Sequence, residues 1–222
     1  MKLYIVATPI GNLSDVSERA LETLRNVDAI LCEDTRVTSK LLSAYGIKKP
    51  LESFHQHSDA KKISKVLDRL ETEDLALVTD AGTPGISDPG GVLVVEAVKR
   101  FGEDITIVPI PGPSAVMAAL SVSGFPADQF VFLGFPPHKK GRQKFFDQLN
   151  NINSTIVFYE STHRIEKTLA ELESRLEDRQ IMLGRELTKL HESIYRGTTA
   201  EVTTKLKSDS MKGEFVIVIA PV

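Results

Sequence analysis

Apolar residues recur along this chain in short runs and then at helical spacing, and the two patterns alternate from end to end. Residues 3–7 are apolar and β-branched, and residues 8–12 turn the chain, which predicts a first strand. Ser14 or Asp15 then caps a helix whose inward positions are Val16, Ala20, Leu24 and Val27. Ala29–Cys32 reads as a second strand, and 35–45 as a helix with Val37, Leu41 and Leu42 inward, stopped by Gly46. A short strand at 51–54, a helix marked by Ile63, Val66, Leu67 and Leu70, and a buried strand at 75–79 follow. A helix over 92–101 and a strand over 105–110 close the first set.

Residues 111–126 carry small and apolar side chains between prolines, with a short helix starting at Ser114. The alternation then restarts: strand 130–135, helix 141–150, strand 155–159 and an amphipathic helix over 162–176. Strands at 181–183, 193–195 and 214–220 and a helix over 202–206 complete it. Strand-then-helix alternation predicts an α/β fold, here as two α/β lobes, 1–115 and 116–222, with a ligand cleft between them.

Composition narrows the class. With 41% hydrophobic and 26% charged residues over 222 positions, the chain has a core's worth of apolar material, which excludes a disordered tail protein. No apolar run reaches the roughly 20 residues that span a bilayer. Cys32 is the single cysteine, so no internal disulfide forms, no metal site is expected, and a reducing cytoplasm fits. A formal charge of −3 excludes a bulk polyanion binder. Any nucleic-acid contact must be local, and Lys139, Lys140, Arg142 and Lys144, with no acid among them, form the candidate patch.

Three loops at predicted strand ends carry the candidate chemistry. They are Thr8-Pro9-Ile10-Gly11-Asn12, the twelve residues from Asp80 to Gly91, and Ile110-Pro111-Gly112-Pro113-Ser114-Ala115. None is a dinucleotide fingerprint or a phosphate loop. The second holds four glycines and two aspartates but no Lys or Arg, so its carbonyls and carboxylates suit a cationic or amino-bearing ligand.

The stretches VATPIGNLSDVSERALETL, CEDTRVTSKLL, VTDAGTPGISDPG, PIPGPSAVMAALSVSGFP, FYESTHRI and RELTKLHE resemble the tetrapyrrole methylase superfamily of S-adenosylmethionine-dependent enzymes. Within it they are similar to the branch that methylates a cytidine ribose 2′-hydroxyl in small-subunit (16S) ribosomal RNA. The resemblance covers nearly the whole chain. It implies two α/β lobes with S-adenosyl-L-methionine between them, a homodimer, and ribosomal RNA or the ribosomal subunit as partner. Cofactor contacts carried over by motif fall on Pro9, Ile10, Thr83, Pro84, Ile86, Ser87, Ser114 and Ala115. In the second lobe they fall on Tyr159, Glu160, Arg185, Glu186, Gly213 and Glu214. A histidine segment matches residues 54–58, with Gln56 and Ser58 departing from the usual pattern.

Methyl transfer to a ribose hydroxyl calls for alignment and a proton acceptor, without a metal. Among the loop carboxylates, Glu33, Asp34 and Asp88, with Arg36 beside them, are the candidate catalytic residues. Arg164 and Arg185 suit either an RNA phosphate or pairing with Glu160 and Glu186. Two other readings stay open: a methyltransferase for a tetrapyrrole or other small acceptor, and a binding module without turnover.

Overall fold

The computed structural model describes residues 1–55, 59–88, 90–176 and 179–222. The chain divides into two compact units, Met1–Ser114 and Ala115–Val222.

The first unit runs β1 (Lys2–Val6), α1 (Glu18–Asn26), β2 (Ala29–Cys32), α2 (Thr35–Ala44), β3 (Leu51–Ser53), α3 (Ala60–Leu70), β4 (Leu75–Leu77), α4 (Gly90–Phe101) and β5 (Thr106–Ile110). Its strands lie in the order β3-β2-β4-β1-β5, and every pair is parallel. Parallel neighbours need crossovers, which cover both sheet faces and bury the inner strands. That is why β2 and β4 read as unbroken apolar runs rather than alternations. Leu31, Leu75 and Leu77 pack with Val66 and Leu70 of α3 and Leu93 of α4. Ile30, Ala76 and Val78 pack with Ala20 and Leu24 of α1 and Leu42 of α2.

Two local expectations are corrected. Ser17, not Ser14 or Asp15, caps α1 by accepting from the Ala20 amide at 3.1 Å. Asn12 instead caps a separate 3-10 turn over Leu13–Asp15. Val37 is exposed, because α2 turns Thr38, Leu41 and Leu42 toward the sheet.

The second unit runs α5 (Ala115–Ser123), β6 (Phe130–Phe132), α6 (Arg142–Asp147), β7 (Thr155–Ser161), α7 (Ile165–Leu176), β8 (Ile181–Arg185), β9 (Ser193–Gly197), α8 (Thr199–Asp209) and β10 (Glu214–Ile219). The sheet order is β6-β7-β10-β8-β9. Only β6 and β7 pair in parallel, the remaining ladders being antiparallel. Phe146, Phe158, Leu169, Leu172, Leu183 and Leu206 fill the core beneath α6, α7 and α8.

Two substitutions separate the contributions that hold this unit. Leu169 is fully buried, so Leu169→Ala should cost about 2–5 kcal/mol in urea unfolding. Thr198 forms a capping box with Glu201, and Thr198→Ala should cost only about 1 kcal/mol. Equal losses would contradict this division.

Candidate functional site

In the first unit, β1 and β4 are neighbours whose chains leave in opposite directions, toward β2 and β5. Open α/β sheets bind ligands at such a reversal, outside the carboxyl ends of the strands. Here the loops after those strands are tied together. The Thr8 amide donates to the Gly82 carbonyl at 2.9 Å, and the Gly82 amide donates back at 3.0 Å. The buried Thr8 hydroxyl donates to the Thr79 carbonyl at 3.1 Å.

The loop after β5 joins them through the Thr83 hydroxyl, which donates to the Pro113 carbonyl at 3.3 Å. A Cβ on Gly112 would stand 3.0 Å from that of Ala7, so any side chain there would crowd the loop against the end of β1. The turn after β2 is a fourth member. The Asp34 amide donates to the Asp80 carboxylate at 3.0 Å, and the Thr79 hydroxyl donates to Glu33 at 3.2 Å.

The loop after β4 folds around Asp88. One of its carboxylate oxygens accepts from the Gly85 amide at 2.6 Å and the Gly90 amide at 2.9 Å. A Cβ on Gly90 would meet the Gly85 nitrogen at 2.7 Å, which shows how tightly the loop closes. Ile86 and Ser87 stand exposed at its crest, Ser87 with a φ of 65°. The converging segments 8–12, 80–91 and 110–114 contain no Lys or Arg. What they offer is main-chain polarity, hydroxyls and the Asp80 carboxylate.

Asp34 caps α2 by accepting from the Arg36 amide at 2.8 Å, and it also pairs with the Arg36 guanidinium at 2.6 Å. The hydrogen bonds from Arg36 hold its carboxyl down to about 2.

In the second unit the expected residues gather where β7, β10 and β8 lie side by side, with Phe215 opposite both Glu160 and Arg185. Glu160 is buried, accepting from the Ser161 amide at 2.7 Å and the Thr168 hydroxyl at 2.6 Å, and pairing with Arg164 at 2.9 Å. Arg185 is buried too, donating to the carbonyls of Lys212 at 2.7 Å and His191 at 3.2 Å. Glu186 has a φ of 49° and accepts from the Glu214 amide at 2.8 Å and from Lys189 at 3.0 Å. Burial raises its carboxyl pKa, but these two donors, with the charges of Lys189 and Arg185, together leave it below the ordinary value. A Cβ on Gly213 would stand 2.7 Å from the Glu186 side chain.

The sequence model of the tetrapyrrole (corrin/porphyrin) methylases matches residues 2–203. The chain belongs to this family. A relative from Thermotoga maritima, named ribosomal RNA small subunit methyltransferase I, is 46% identical over 220 residues, covering 99% of this chain and 98% of its own. A Bacillus subtilis protein of the same name is 43% identical, over 98% of this chain and 74% of its own. Among solved structures, a diphthine synthase superposes with a TM-score of 0.75 at 15% identity, covering 99% of this chain and 90% of its own. A cobalt precorrin-4 methyltransferase gives 0.71 at 20%, covering 99% and 94%. At these identities the likeness speaks for the fold alone. The chain is thus a methyltransferase on the tetrapyrrole methylase scaffold.

Within that scaffold, Pro9, Ile10, Thr83, Pro84, Ile86, Ser87 and Ser114 lie on the joined loops of the first unit, and Ala115 opens α5. The side chains of several expected site residues are engaged inside the fold. Glu160 and Arg185 have their side chains bonded within the second unit. Asp88 braces its own loop through one carboxylate oxygen. Arg142 is corrected from an RNA contact to an internal strut. It is 5% exposed, donates to Thr168 at 2.7 Å and pairs with Glu171 at 3.1 Å. Arg164 resolves toward internal pairing, with Glu160. Gln56, His57 and Ser58 of the histidine segment lie outside the described residues.

The Thr8–Gly82 bridge and the Thr168 hydroxyl were not anticipated. Main-chain pairing leaves no compositional trace, and a threonine in a helix reads as an ordinary surface residue.

Asp88→Ala should speed hydrogen exchange at the Gly85 and Gly90 amides, whereas Asp88→Asn, which keeps an acceptor oxygen, should leave them near wild type. Equal protection in all three proteins would rule out the brace. For Glu186, a lowered carboxyl pKa stabilises the fold above the unfolded value of about 4.3 and loses that contribution as pH falls through the folded value. Between about pH 5 and pH 3, the wild type should therefore lose more stability than Glu186→Gln in urea titrations. Parallel losses would refute it.

Proposed function

We propose that this chain transfers a methyl group from S-adenosylmethionine to the ribose 2′-hydroxyl of a cytidine in small-subunit ribosomal RNA, acting in the cytoplasm as a homodimer. The observation that supports the reading is the Thermotoga maritima relative, which matches this chain over nearly the full length of both and is named a ribosomal RNA small subunit methyltransferase. No helix among the described residues is long and apolar enough to cross a membrane.

The donor loops fit the proposed cofactor by their chemistry. A sulfonium cation with an amino acid tail needs acceptors without competing cations, and the loops around Thr8, Gly82 and Pro113 contain no Lys or Arg. Thr83, Ile86, Ser87 and the main chain of these loops would hold it. When bound, S-adenosylmethionine supplies an electrophilic methyl carbon.

The protein's part is alignment, which supplies roughly 7–11 kcal/mol in well-oriented reactions, and removal of the hydroxyl proton. Asp34, held down to about 2 by Arg36, is a poor base at neutral pH. Glu33 is the proposed acceptor. It lies just past the end of β2 and accepts a hydrogen bond from the Thr79 hydroxyl at 3.2 Å. Arg36, paired with Asp34 but with its side chain 86% exposed, would add charge beside an approaching RNA phosphate.

The test is methyl transfer from labelled S-adenosylmethionine to small-subunit particles, free ribosomal RNA or a porphyrinogen. Label should appear in an alkali-resistant dinucleotide beginning with a 2′-O-methylated cytidine. Glu33→Gln should lower kcat by about 10²–10⁴ while leaving donor binding by calorimetry unchanged. Label on a base, or on the porphyrinogen alone, would overturn the assignment.

A further inference from the structure

Phe135 follows β6 and is 51% exposed, yet its ring is firmly held. The Tyr159 ring lies against it with centroids 5.3 Å apart, and Phe132 stands edge-on to Tyr159 at 5.1 Å. The Arg164 guanidinium lies 5.9 Å from the Phe135 centroid. Arg164 is itself fixed, donating to the Pro136 carbonyl at 2.7 Å and pairing with buried Glu160 at 2.9 Å. A large apolar ring presented to solvent on so rigid a mount has lost its freedom before any ligand arrives, which lowers the entropic cost of stacking on it.

The same connection carries exposed cations. Lys139, Lys140 and Lys144 form no ion pair among the described residues. His138 and Lys139 line a groove of about 480 Å³ whose wall also includes Lys167 of α7. Arg142 and Arg175 line it too, but Glu171 and Asp147 neutralise them. Lys167 keeps only a 3.9 Å approach to Glu171. The available positive charge is therefore lysine charge, on both sides of the groove.

We infer that this face of the second unit binds unpaired RNA, with Phe135 stacking on a nucleobase and Lys139, Lys140, Lys144 and Lys167 holding neighbouring phosphates. A held aromatic ring beside exposed cations is how single-stranded nucleic acid is gripped, since every base has a stacking face and every nucleotide a charge. A duplex hides those faces, so the ring demands an unpaired stretch. The inference rests on the RNA reading above and deepens it by naming the form of RNA recognised and the residue that recognises it.

The test uses the full chain, a short unpaired oligoribonucleotide carrying 2-aminopurine, and a blunt RNA duplex of the same composition. The single strand should bind more tightly, with 2-aminopurine fluorescence quenched. Phe135→Ala should weaken binding about tenfold and abolish quenching without changing the salt slope, and Phe135→Tyr should restore both. Converting the four lysines to Gln should reduce the salt slope by about 3. Calorimetric S-adenosylmethionine binding, unchanged in each variant, certifies the fold. Equal affinity for duplex and single strand, or quenching that survives Phe135→Ala, would overturn the stacking site. If the wild type still methylates ribosomal RNA in that case, the functional reading stands while this inference fails. If RNA is neither bound nor methylated and a porphyrinogen is methylated, both fall.

Discussion

Two hydrogen bonds between the main chains of Thr8 and Gly82 decide what the first unit can be used for. A parallel sheet ends in a row of loops that have no reason of their own to meet, and each unpaired buried amide or carbonyl would be costly. By pairing with each other just past β1 and β4, these two residues satisfy that demand and fix the loops' separation. The consequences spread outward. Gly82 takes a φ of +84°, which disfavours any side chain there. Thr83 is delivered to Pro113, and Asp80 to the turn after β2. A surface rich in main-chain polarity and poor in cations is the outcome.

The second unit solves a different problem, a buried carboxylate. Glu160 would be strongly destabilising if unpaired, and it has four partners: Ser161 beside it, Arg164 and Thr168 near the start of α7, and Arg142 on α6, 3.8 Å away. Removing one partner of such a group typically costs about 3–5 kcal/mol. The cluster ties α6, α7 and the end of β7 together, and through Arg164 it reaches the Pro136 carbonyl. Residues that look like anion receptors in the sequence are thus consumed in building the platform.

Much of this was legible beforehand. Apolar runs placed nearly every strand, because a strand buried on both faces has no polar positions to interrupt it, as in Ala29–Cys32. The glycine and proline content of residues 80–91 marked the loop that matters. What stayed hidden was partner choice. Arg142 and Lys144 look alike in a basic run, and only the fold shows that one turns inward to Thr168 and Glu171 while the other faces water. Likewise Asp88 and Glu33 are equal candidates as loop carboxylates until one is seen holding two amides of its own loop.

The contrast between the two sheets bears on how the chain reaches its structure. Every ladder of the first unit joins strands separated by a crossover, so no two strands can pair before a long stretch of chain has been gathered. In the second, β8 and β9 are joined through residues 186–192 and pair from Arg185 opposite Ser193 outward. That contact is local and closes a short loop at small entropic cost. Order in the second unit can therefore begin within a few residues of itself, whereas the first has to wait for its helices.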